Sequence, residues 1–308
     1  MGKKLILGGT GFLGSNLAKT LVARGERPIL FARSRFNHSH LDGILDKVEM
    51  VCGDFMDESA LRKAISGVDI IFHLISTTPD YLNIENTSYD LLANILSTIR
   101  LVEISIANGV KKIVFVSSGG TVYGEAQKIP VTEQHPRIPK SAYGQSKLII
   151  ENYLSFYSRT TDLDIDILRV SNTYGPGQNP LGGQGIIAVA MGCVQAGRSL
   201  KLFGKGEAVR DYIFIDDVVQ AMILASEKRG SFIANVSSGI GHSILEIVEA
   251  VEKIVGASID KQFIPSRATD VLTNILANNR AYEIYGWQPT VALHDGLVLN
   301  WKWMNRNT

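Results

Sequence analysis

Short, nearly continuous apolar runs alternate with longer segments of helical periodicity through the first 170 residues of the chain. The apolar runs predict strands, which cover residues 4–7, 28–32, 48–52, 69–75, 112–117 and 164–170. The periodic segments between them predict helices over residues 12–24, 58–66, 86–108 and 143–159. Strands without polar alternation are typical of parallel sheets that are buried on both faces. The alternation therefore predicts an α/β fold built on a Rossmann-type doubly wound parallel sheet.

The pattern loosens after residue 174, where a loop rich in Gly, Pro and Asn covers residues 174–185. Helical periodicity returns over residues 184–197, 216–228, 243–256 and 292–304. We expect a dinucleotide-binding domain over residues 1–174 and a smaller mixed α/β substrate-binding lobe over residues 175–308. The lobe is expected to cover the C-terminal edge of the sheet, with some interleaving of elements between the two parts.

Composition narrows the choice of partners. The 308 residues are 45% hydrophobic and 20% charged, with a formal net charge of +1. These values are ordinary for a globular enzyme and do not indicate a nucleic-acid partner. No apolar stretch reaches the roughly 18 residues typical of a membrane span. We therefore expect no membrane partner and a cytoplasmic location. The histidines and cysteines lack the spacing of a metal site.

A glycine-rich turn directly follows the first predicted strand and opens a helix, in "LGGTGFLG" (7–14). The spacing G-x-x-G-x-x-G allows a tight turn, and it lets a pyrophosphate approach the backbone closely. The helix N-terminus adds free N–H groups and a partial positive charge. We therefore predict that a dinucleotide binds here. The predicted contacts are Gly8, Gly11, Phe12, Leu13 and Gly14.

The end of the second predicted strand bears on the choice between NAD and NADP. Folds that prefer NAD usually carry an acid there, which binds the ribose 2′-hydroxyl. Ala32 takes that place, and Arg33, Ser34 and Arg35 follow it. An arginine can bind a 2′-phosphate through two hydrogen bonds. The pattern favours NADP, and a solvated basic loop with NAD bound through its pyrophosphate is the alternative. We expect one dinucleotide per chain.

Tyr143 and Lys147 lie four residues apart near the start of a predicted helix, in "YGQSK" (143–147). This spacing places both side chains on one face of the helix. A tyrosine with an ordinary pKa of about 10 is a poor base at neutral pH. A neighbouring ammonium favours the phenolate. Tyr143 is therefore the candidate acid/base and Lys147 its activator, for proton exchange coupled to hydride transfer with nicotinamide.

Eight motifs together resemble the extended short-chain dehydrogenase/reductases, and most closely their nucleotide-sugar epimerase/dehydratase group. The motifs are "GGTGFLG" (8–14), "GD" (53–54), "IFHL" (71–74), "SSGGTVYG" (117–124), "YGQSK" (143–147), "LRVSNTYGPGQ" (168–178), "VRDYIFIDDV" (209–218) and "YGWQP" (285–289). They extend over nearly the whole chain. They are specific for the family and much less specific for the reaction within it.

The resemblance also implies roles for individual residues. On the cofactor side the implied contacts are Asp54, Phe55, Leu74 and Asn94, together with Tyr143 and Lys147. On the substrate side they are Ser118, Thr121, Tyr143, Asn172, Arg210, Arg267 and Asp270. Arg210 suits a diphosphate because a guanidinium can bind it through two hydrogen bonds. Asp54 could equally be an ordinary turn aspartate.

Gly119 departs from the family pattern, because a serine or threonine usually occupies that position and hydrogen-bonds the reacting oxygen. Three replacements compete: the hydroxyl of Ser118, the hydroxyl of Thr121, or a water molecule. A Gly-Gly pair permits unusual backbone angles that could turn Ser118 into the site. We predict Ser118 as the replacement and the third catalytic residue.

The resemblance implies an enzyme that acts at C4 of a UDP- or dTDP-linked hexose. The leading interpretation is a 4-epimerase that works through a transient 4-keto sugar. The alternative is an NADPH-dependent reductase of a nucleotide-linked 4-keto-6-deoxy sugar, which the basic residues after Ala32 favour. A non-catalytic dinucleotide-binding protein is a third, minor interpretation. In relatives, helix 143–159 and the long helix before it often pair with a second subunit, so a homodimer is expected.

Overall fold

A computed structural model describes residues 2–33, 39–77, 87–182, 184–266 and 270–306. The strands are β1 (Lys4–Leu7), β2 (Ile29–Ala32), β3 (Glu49–Cys52), β4 (Ile70–His73), β5 (Lys112–Ser118), β6 (Asp164–Val170), β7 (Asn172–Tyr174), β8 (Leu200–Phe203), β9 (Val209–Phe214), β10 (Ile233–Val236), β11 (Gly241–Ser243), β12 (Lys261–Ile264) and β13 (Thr273–Asn274). The helices are α1 (Phe12–Ala23), α2 (Glu58–Ile65), α3 (Thr87–Asp90), α4 (Ser97–Ala107), α5 (Ala142–Thr160), α6 (Ile186–Ala196), α7 (Ile215–Glu227), α8 (Ile244–Val255), α9 (Asn279–Tyr285) and α10 (Leu293–Arg306).

The main sheet of the described chain has seven strands in the order β10-β6-β5-β4-β1-β2-β3. The pairs β1–β2, β2–β3, β1–β4 and β4–β5 are all parallel. The chain starts in the middle of the sheet, winds outward to β3, and then continues from β4 on the other side of β1. This reversal is the topological switch point of a doubly wound fold, where ligands bind at the carboxyl ends of the strands. The predicted fold class is confirmed.

Burial explains the apolar runs. Strands β1 and β2 are buried along their whole length, and β5 is buried except at its last residue. Their side chains join a continuous core with apolar residues of α2, α4 and α5. Strand β3 differs, because it lies at the edge of the sheet and its residues are half-buried or exposed.

The predicted helix over residues 86–108 is not one regular helix. It consists of α3, a π-helical turn over Leu91–Leu96, and α4. The Ser97 hydroxyl donates to the Leu92 carbonyl, five residues back, at 3.0 Å. Wide turns of this kind are rare and often occur at functional sites. The other predicted helices match the observed ones to within one or two residues at each end.

The chain divides into two compact units whose limits differ from the predicted boundary at residue 174. The first unit contains residues 1–118, 141–169 and 219–234, and the second contains 119–140, 170–218 and 235–308. The chain returns to the first unit because β10 extends the main sheet beside β6. Interleaving was expected, but the positions of these crossings were not.

The second unit is built on shorter strands. Within it β9 is central and pairs with β7, β11 and β13, while β8 and β12 form a separate two-stranded sheet. Helix α6 has an αL glycine, Gly197, at its C-cap, and α8 starts with a capping box between Ser243 and Glu246. Both are the local end signals expected of helices.

Candidate active site

The glycine-rich turn lies at the carboxyl end of β1, beside the switch point. The amides of Gly8 and Gly9 both donate to the Phe31 carbonyl, at 3.0 and 3.3 Å. Gly8 has a φ of +83°, which strongly favours glycine. A Cβ at Gly14 would collide with the Gly8 carbonyl oxygen. The turn therefore requires glycine at both positions, as the sequence predicted.

Helix α1 leaves this turn with its amino end uncapped by any side chain. Gly11 is the N-cap residue, and there is no acid in the first turn. The first amides of a helix, here those of Phe12, Leu13 and Gly14, have no carbonyl partner within the helix. They point towards the helix N-terminus, where the helix dipole favours an anion. This turn fits a dinucleotide diphosphate.

The residues just after β2 and β3 include the predicted contacts of the adenosine half of the dinucleotide. Arg33 is exposed just after β2, and Ser34 and Arg35 lie outside the described residues. The Asp54 carboxylate accepts a hydrogen bond from the Met56 amide at 2.8 Å, as a turn aspartate does. Phe55 is buried, with its ring centroid 5.2 Å from that of His73. The adenosine contacts of this region therefore stay predictions.

Leu74 follows β4 at the switch point. Its amide donates to the Leu7 carbonyl at 3.1 Å, and its side chain is half-buried. This hydrogen bond extends the pairing of β1 and β4 to the edge where the glycine turn begins. Leu74 is therefore positioned beside the predicted dinucleotide site.

Tyr143 and Lys147 lie in the first two turns of α5. The Ser141 hydroxyl caps this helix by accepting from the Gly144 amide at 3.1 Å. The Lys147 Nζ lies 5.7 Å from the centroid of the Tyr143 ring, and it donates to the Val116 carbonyl at 3.0 Å. Lys147 is buried, while Tyr143 is half-buried. The structure thus brings the two predicted catalytic residues together.

The carboxylates around Lys147 favour its charged ammonium form. Burial lowers the pKa of Lys147 to about 8, while the carboxylates of Glu151 and Asp90 act in the opposite direction. Burial and then Lys147 lower the pKa of His73 to about 3. His73 is therefore neutral near pH 7, and the ammonium of Lys147 keeps its positive charge there.

The hydrogen bond between His73 and Thr98 determines which nitrogen of the His73 imidazole carries the proton. The Thr98 hydroxyl donates to the Asn94 carbonyl at 2.6 Å, so its oxygen accepts from His73 Nε2, which is 2.9 Å away. This network assigns the proton of the neutral imidazole to Nε2. Nδ1 of His73 is then an acceptor, and it is buried without a hydrogen-bond partner in the described part of the chain.

Ser117 and Ser118 end β5 and point to opposite faces of the sheet, as successive strand residues do. The Ser117 hydroxyl donates to Glu151 at 2.5 Å, and Arg169 binds the same carboxylate with Nη2 2.7 Å from Oε2. Ser117 is therefore committed to a buried ion pair. Ser118, the predicted catalytic residue, is half-buried on the other face at the carboxyl end of the strand.

Gly119 begins the second unit. Its amide donates to the Val170 carbonyl at 2.9 Å, and its carbonyl accepts from the Asn274 side chain at 3.2 Å. Neither Gly119 nor Gly120 has a positive φ. The left-handed backbone that a Gly-Gly pair permits is therefore not adopted here, and the catalytic role of Ser118 stays a prediction. Thr121 has a buried hydroxyl without a hydrogen-bond partner among the described residues.

Three further predicted substrate residues, Asn172, Arg210 and Asp270, lie in the second unit. Asn172 is on β7 and pairs in register with Tyr212 on β9, two residues from Arg210. Nη1 of Arg210 donates to the carbonyls of Val209 and Leu272, at 2.9 and 3.4 Å. The Asp270 carbonyl accepts from Lys140 at 3.1 Å. Arg267 lies outside the described residues.

Residues 4–236 match the model of the NAD dependent epimerase/dehydratase family. The chain belongs to this family. It is 36% identical to the UDP-glucose 4-epimerase of Mycolicibacterium smegmatis over 96% of each chain. It is 30% identical to the dTDP-4-dehydro-6-deoxyglucose reductase of Escherichia coli, with 95% of this chain and 94% of that protein covered. The crystal structure of the Thermotoga maritima UDP-glucose 4-epimerase with UDP-glucose superposes with a TM-score of 0.93, at 32% identity and 99% coverage of both chains.

Family membership confirms several predictions made from the motifs. The protein is an enzyme of the epimerase/dehydratase family, and the family depends on NAD. The uncapped end of α1 and the crowded glycines fit that cofactor.

Within the described residues, no three His, Cys, Asp or Glu side chains are grouped to hold a metal ion. None of the described helices has both the length and the apolarity needed to span a bilayer.

Sequence reasoning missed most of a buried polar cluster beside the predicted catalytic pair. Asp90 accepts from the side-chain Nδ2 of Asn94 at 2.6 Å and from the Ser146 hydroxyl. The side-chain Oδ1 of Asn94 in turn accepts from the Thr77 backbone amide at 3.0 Å. Asn94 was predicted as a cofactor contact, but Asp90 and Ser146 were not predicted. The spacing of Asp90 and Asn94 by one helical turn was the available signal.

Proposed function

We propose that this enzyme interconverts the two C4 epimers of a UDP- or dTDP-linked hexose through a transient 4-keto sugar. The observation that carries the proposal is the buried Lys147 ammonium next to Tyr143, in the same unit as a glycine turn that fits a dinucleotide. The similarity to the UDP-glucose 4-epimerases of Mycolicibacterium smegmatis and Thermotoga maritima supports the epimerase assignment.

Tyr143 is the acid/base of the proposed reaction. As a phenolate it removes the proton of the C4 hydroxyl, and as a phenol it returns the proton when the sugar is reduced on its other face. The bound nicotinamide supplies the hydride acceptor and donor for these two steps. Lys147 stabilises the phenolate through its positive charge. With its pKa lowered to about 8, Lys147 is still mostly charged at neutral pH.

The remaining residues bind and orient. The glycine turn and the first amides of α1 bind the pyrophosphate of the dinucleotide. Arg210 and Asn172, on adjacent strands of the second unit, bind the diphosphate of the nucleotide sugar. Ser118 donates a hydrogen bond to the C4 oxygen and so replaces the side-chain hydroxyl that is missing at Gly119. The unpartnered hydroxyl of Thr121 is the second candidate for that contact.

A reductase of a nucleotide-linked 4-keto-6-deoxy sugar is the second candidate function. Its specific support is the absence of an acid at Ala32, followed by the exposed Arg33, since an arginine suits the 2′-phosphate of NADPH. The similarity to the Escherichia coli reductase supports the same alternative. In this reaction Tyr143 donates its proton once, to the oxygen of the 4-keto group.

The bound nucleotide distinguishes the two functions. The purified protein is denatured, and the released nucleotide is identified by chromatography and mass. An epimerase recycles its cofactor, so we expect close to one NAD per chain. A protein that is isolated empty and binds NADPH far more tightly than NADH contradicts the epimerase and supports the reductase. A protein that binds neither dinucleotide contradicts both.

A homodimer that pairs through α4 and α5 is also part of the proposal. Tyr153 and Phe156 of α5 are large aromatic side chains that are 45% and 50% exposed. A small depression beside them is lined by residues including Ile99, Val102 and Tyr157. A second copy of the chain would bury these rings. A cytoplasmic location stays a prediction from composition.

Sedimentation measures the oligomeric state directly. We expect a dimer for the wild type and a monomer for Phe156→Glu, which introduces a charge into the proposed interface. Tyr282→Glu is the matched control, because Tyr282 is a 60% exposed ring on α9 in the second unit. A Phe156→Glu protein that remains a dimer contradicts the proposed interface.

A further inference from the structure

Asp90 is a buried carboxylate with no role in the proton and hydride transfers of the proposed function. It ends α3, directly before the π-helical turn, and only 3% of its surface is exposed. Its oxygens accept hydrogen bonds from the Asn94 amide and the Ser146 hydroxyl. A buried carboxylate is costly unless it is hydrogen-bonded and faces positive charge.

The two donors place Asp90 beside the catalytic pair. Ser146 immediately precedes Lys147 on α5, so its hydrogen bond joins α5 to the end of α3. Asn94 is fixed at both ends of its amide, because its nitrogen donates to Asp90 and its oxygen accepts from Thr77. The π-helical turn carries Asn94 within this cluster. The π-helical turn and the Asp90 carboxylate therefore hold Asn94 and Ser146 in one local arrangement.

The charges that face Lys147 come from several elements. Asp90 precedes the π-helical turn, Glu151 lies one turn later on α5, and both favour the charged ammonium. Glu151 is itself bound by the guanidinium of Arg169. His73 on β4 is neutral near pH 7, and Tyr143 presents its ring to the ammonium. The hydrogen-bond donors at Asp90 described above are neutral, unlike the guanidinium at Glu151.

We propose that Asp90 is a positioning residue for the Tyr143–Lys147 pair, because its carboxylate keeps Lys147 charged and holds Ser146 and Asn94 in place around it. The proposal rests on the acid/base role of Tyr143 in the proposed function. Asp90 itself does not contact the reacting atoms in this account. Its effect reaches Tyr143 through the ammonium of Lys147.

Replacement of Asp90 by Asn removes the charge and preserves the size of the side chain. Loss of a nearby negative charge makes Lys147 easier to deprotonate, so the alkaline limb of the kcat–pH profile moves to lower pH by about one unit. Turnover then falls about twofold at pH 7 and about tenfold at pH 9, relative to wild type. The content of bound dinucleotide is expected to stay unchanged.

Ser146→Ala is the matched control. It removes one hydrogen bond from the Asp90 carboxylate and leaves the charge in place. We expect a lower kcat with the alkaline limb at the wild-type pH. Asp90→Ser is a second neutral variant, for use if Asp90→Asn does not fold. If a folded neutral variant keeps the wild-type alkaline limb, the proposal is overturned.

A titration without substrate separates this inference from the proposed function. The phenolate absorbance of Tyr143 is taken as the difference between each protein and its Tyr143→Phe counterpart, as pH rises. A neutral residue at position 90 moves this titration to higher pH, because Lys147 then loses its proton earlier and no longer stabilises the phenolate. The shift is expected even if no nucleotide sugar is turned over. An unchanged titration in both neutral variants contradicts the role of Asp90 alone.

Discussion

The glycine turn and the Tyr143–Lys147 pair lie in the same unit but depend on different physical properties. In the proposed function the turn binds the dinucleotide through backbone amides, and its glycines are required because side chains would not fit. The pair is proposed to act through the buried charge of Lys147, which neighbouring carboxylates favour. Substitutions in the turn should therefore alter cofactor binding, while substitutions around the pair should alter turnover and its pH dependence.

Tyr143→Phe should have the largest effect. It removes the acid/base group and leaves the glycine turn untouched, so kcat should fall by about 10³-fold or more. The dinucleotide released on denaturation should remain at the wild-type amount. Steady-state kinetics and chromatography give the two values. Loss of cofactor together with turnover would show that the two regions are not separable.

Ser118→Ala tests the replacement for the hydroxyl missing at Gly119. Removal of a hydrogen-bond donor to the reacting oxygen should lower kcat by about 10²–10³-fold. Thr121→Val is the comparison, because the Thr121 hydroxyl is buried without a partner in the described structure. We expect the smaller loss at Thr121. The reverse order would assign the role to Thr121.

Gly14→Ala tests the other side of the comparison. Its new methyl group meets the Gly8 carbonyl, and overpacking of this kind costs about 1–3 kcal/mol. Dinucleotide binding should weaken about 10–100-fold, as measured by equilibrium titration. Turnover per bound cofactor should change little. Wild-type affinity in this variant would contradict the close packing of the turn.

The smallest expected effect is the change of wild-type kcat with pH near neutrality. Lys147 is protonated below its folded pKa of about 8 and loses its charge as pH rises through that value. The rate should therefore decrease above about pH 8, where the phenolate of Tyr143 loses its stabilising ammonium. A kcat–pH profile measures this limb. A rate that remains flat to pH 10 would contradict the role of the ammonium.

Local signals account for what the sequence predicted well. The strand, glycine turn and helix over residues 4–24 follow directly from neighbouring residues, and their limits agree to within one residue. The Tyr143–Lys147 pair depends on spacing within one helix and was equally accessible. Both features are contained in short segments of the chain.

Long-range contacts account for what the sequence did not predict. Asp90 and Ser146 are 56 residues apart, and their hydrogen bond has no trace in the periodicity of either helix. The π-helical turn has the same apolar composition as a regular helix. The return of the chain to the first unit at residue 219 depends on β10 joining the main sheet. Each of these needs the folded arrangement to be seen.

The central claim is that Tyr143 exchanges the C4 proton of a nucleotide-linked hexose. The most direct test follows UDP-galactose by NMR with wild type and Tyr143→Phe side by side, without added cofactor. We predict that the wild type produces the C4 epimer and that the variant produces almost none while it keeps its bound NAD. Equal conversion by the two proteins would contradict the claim.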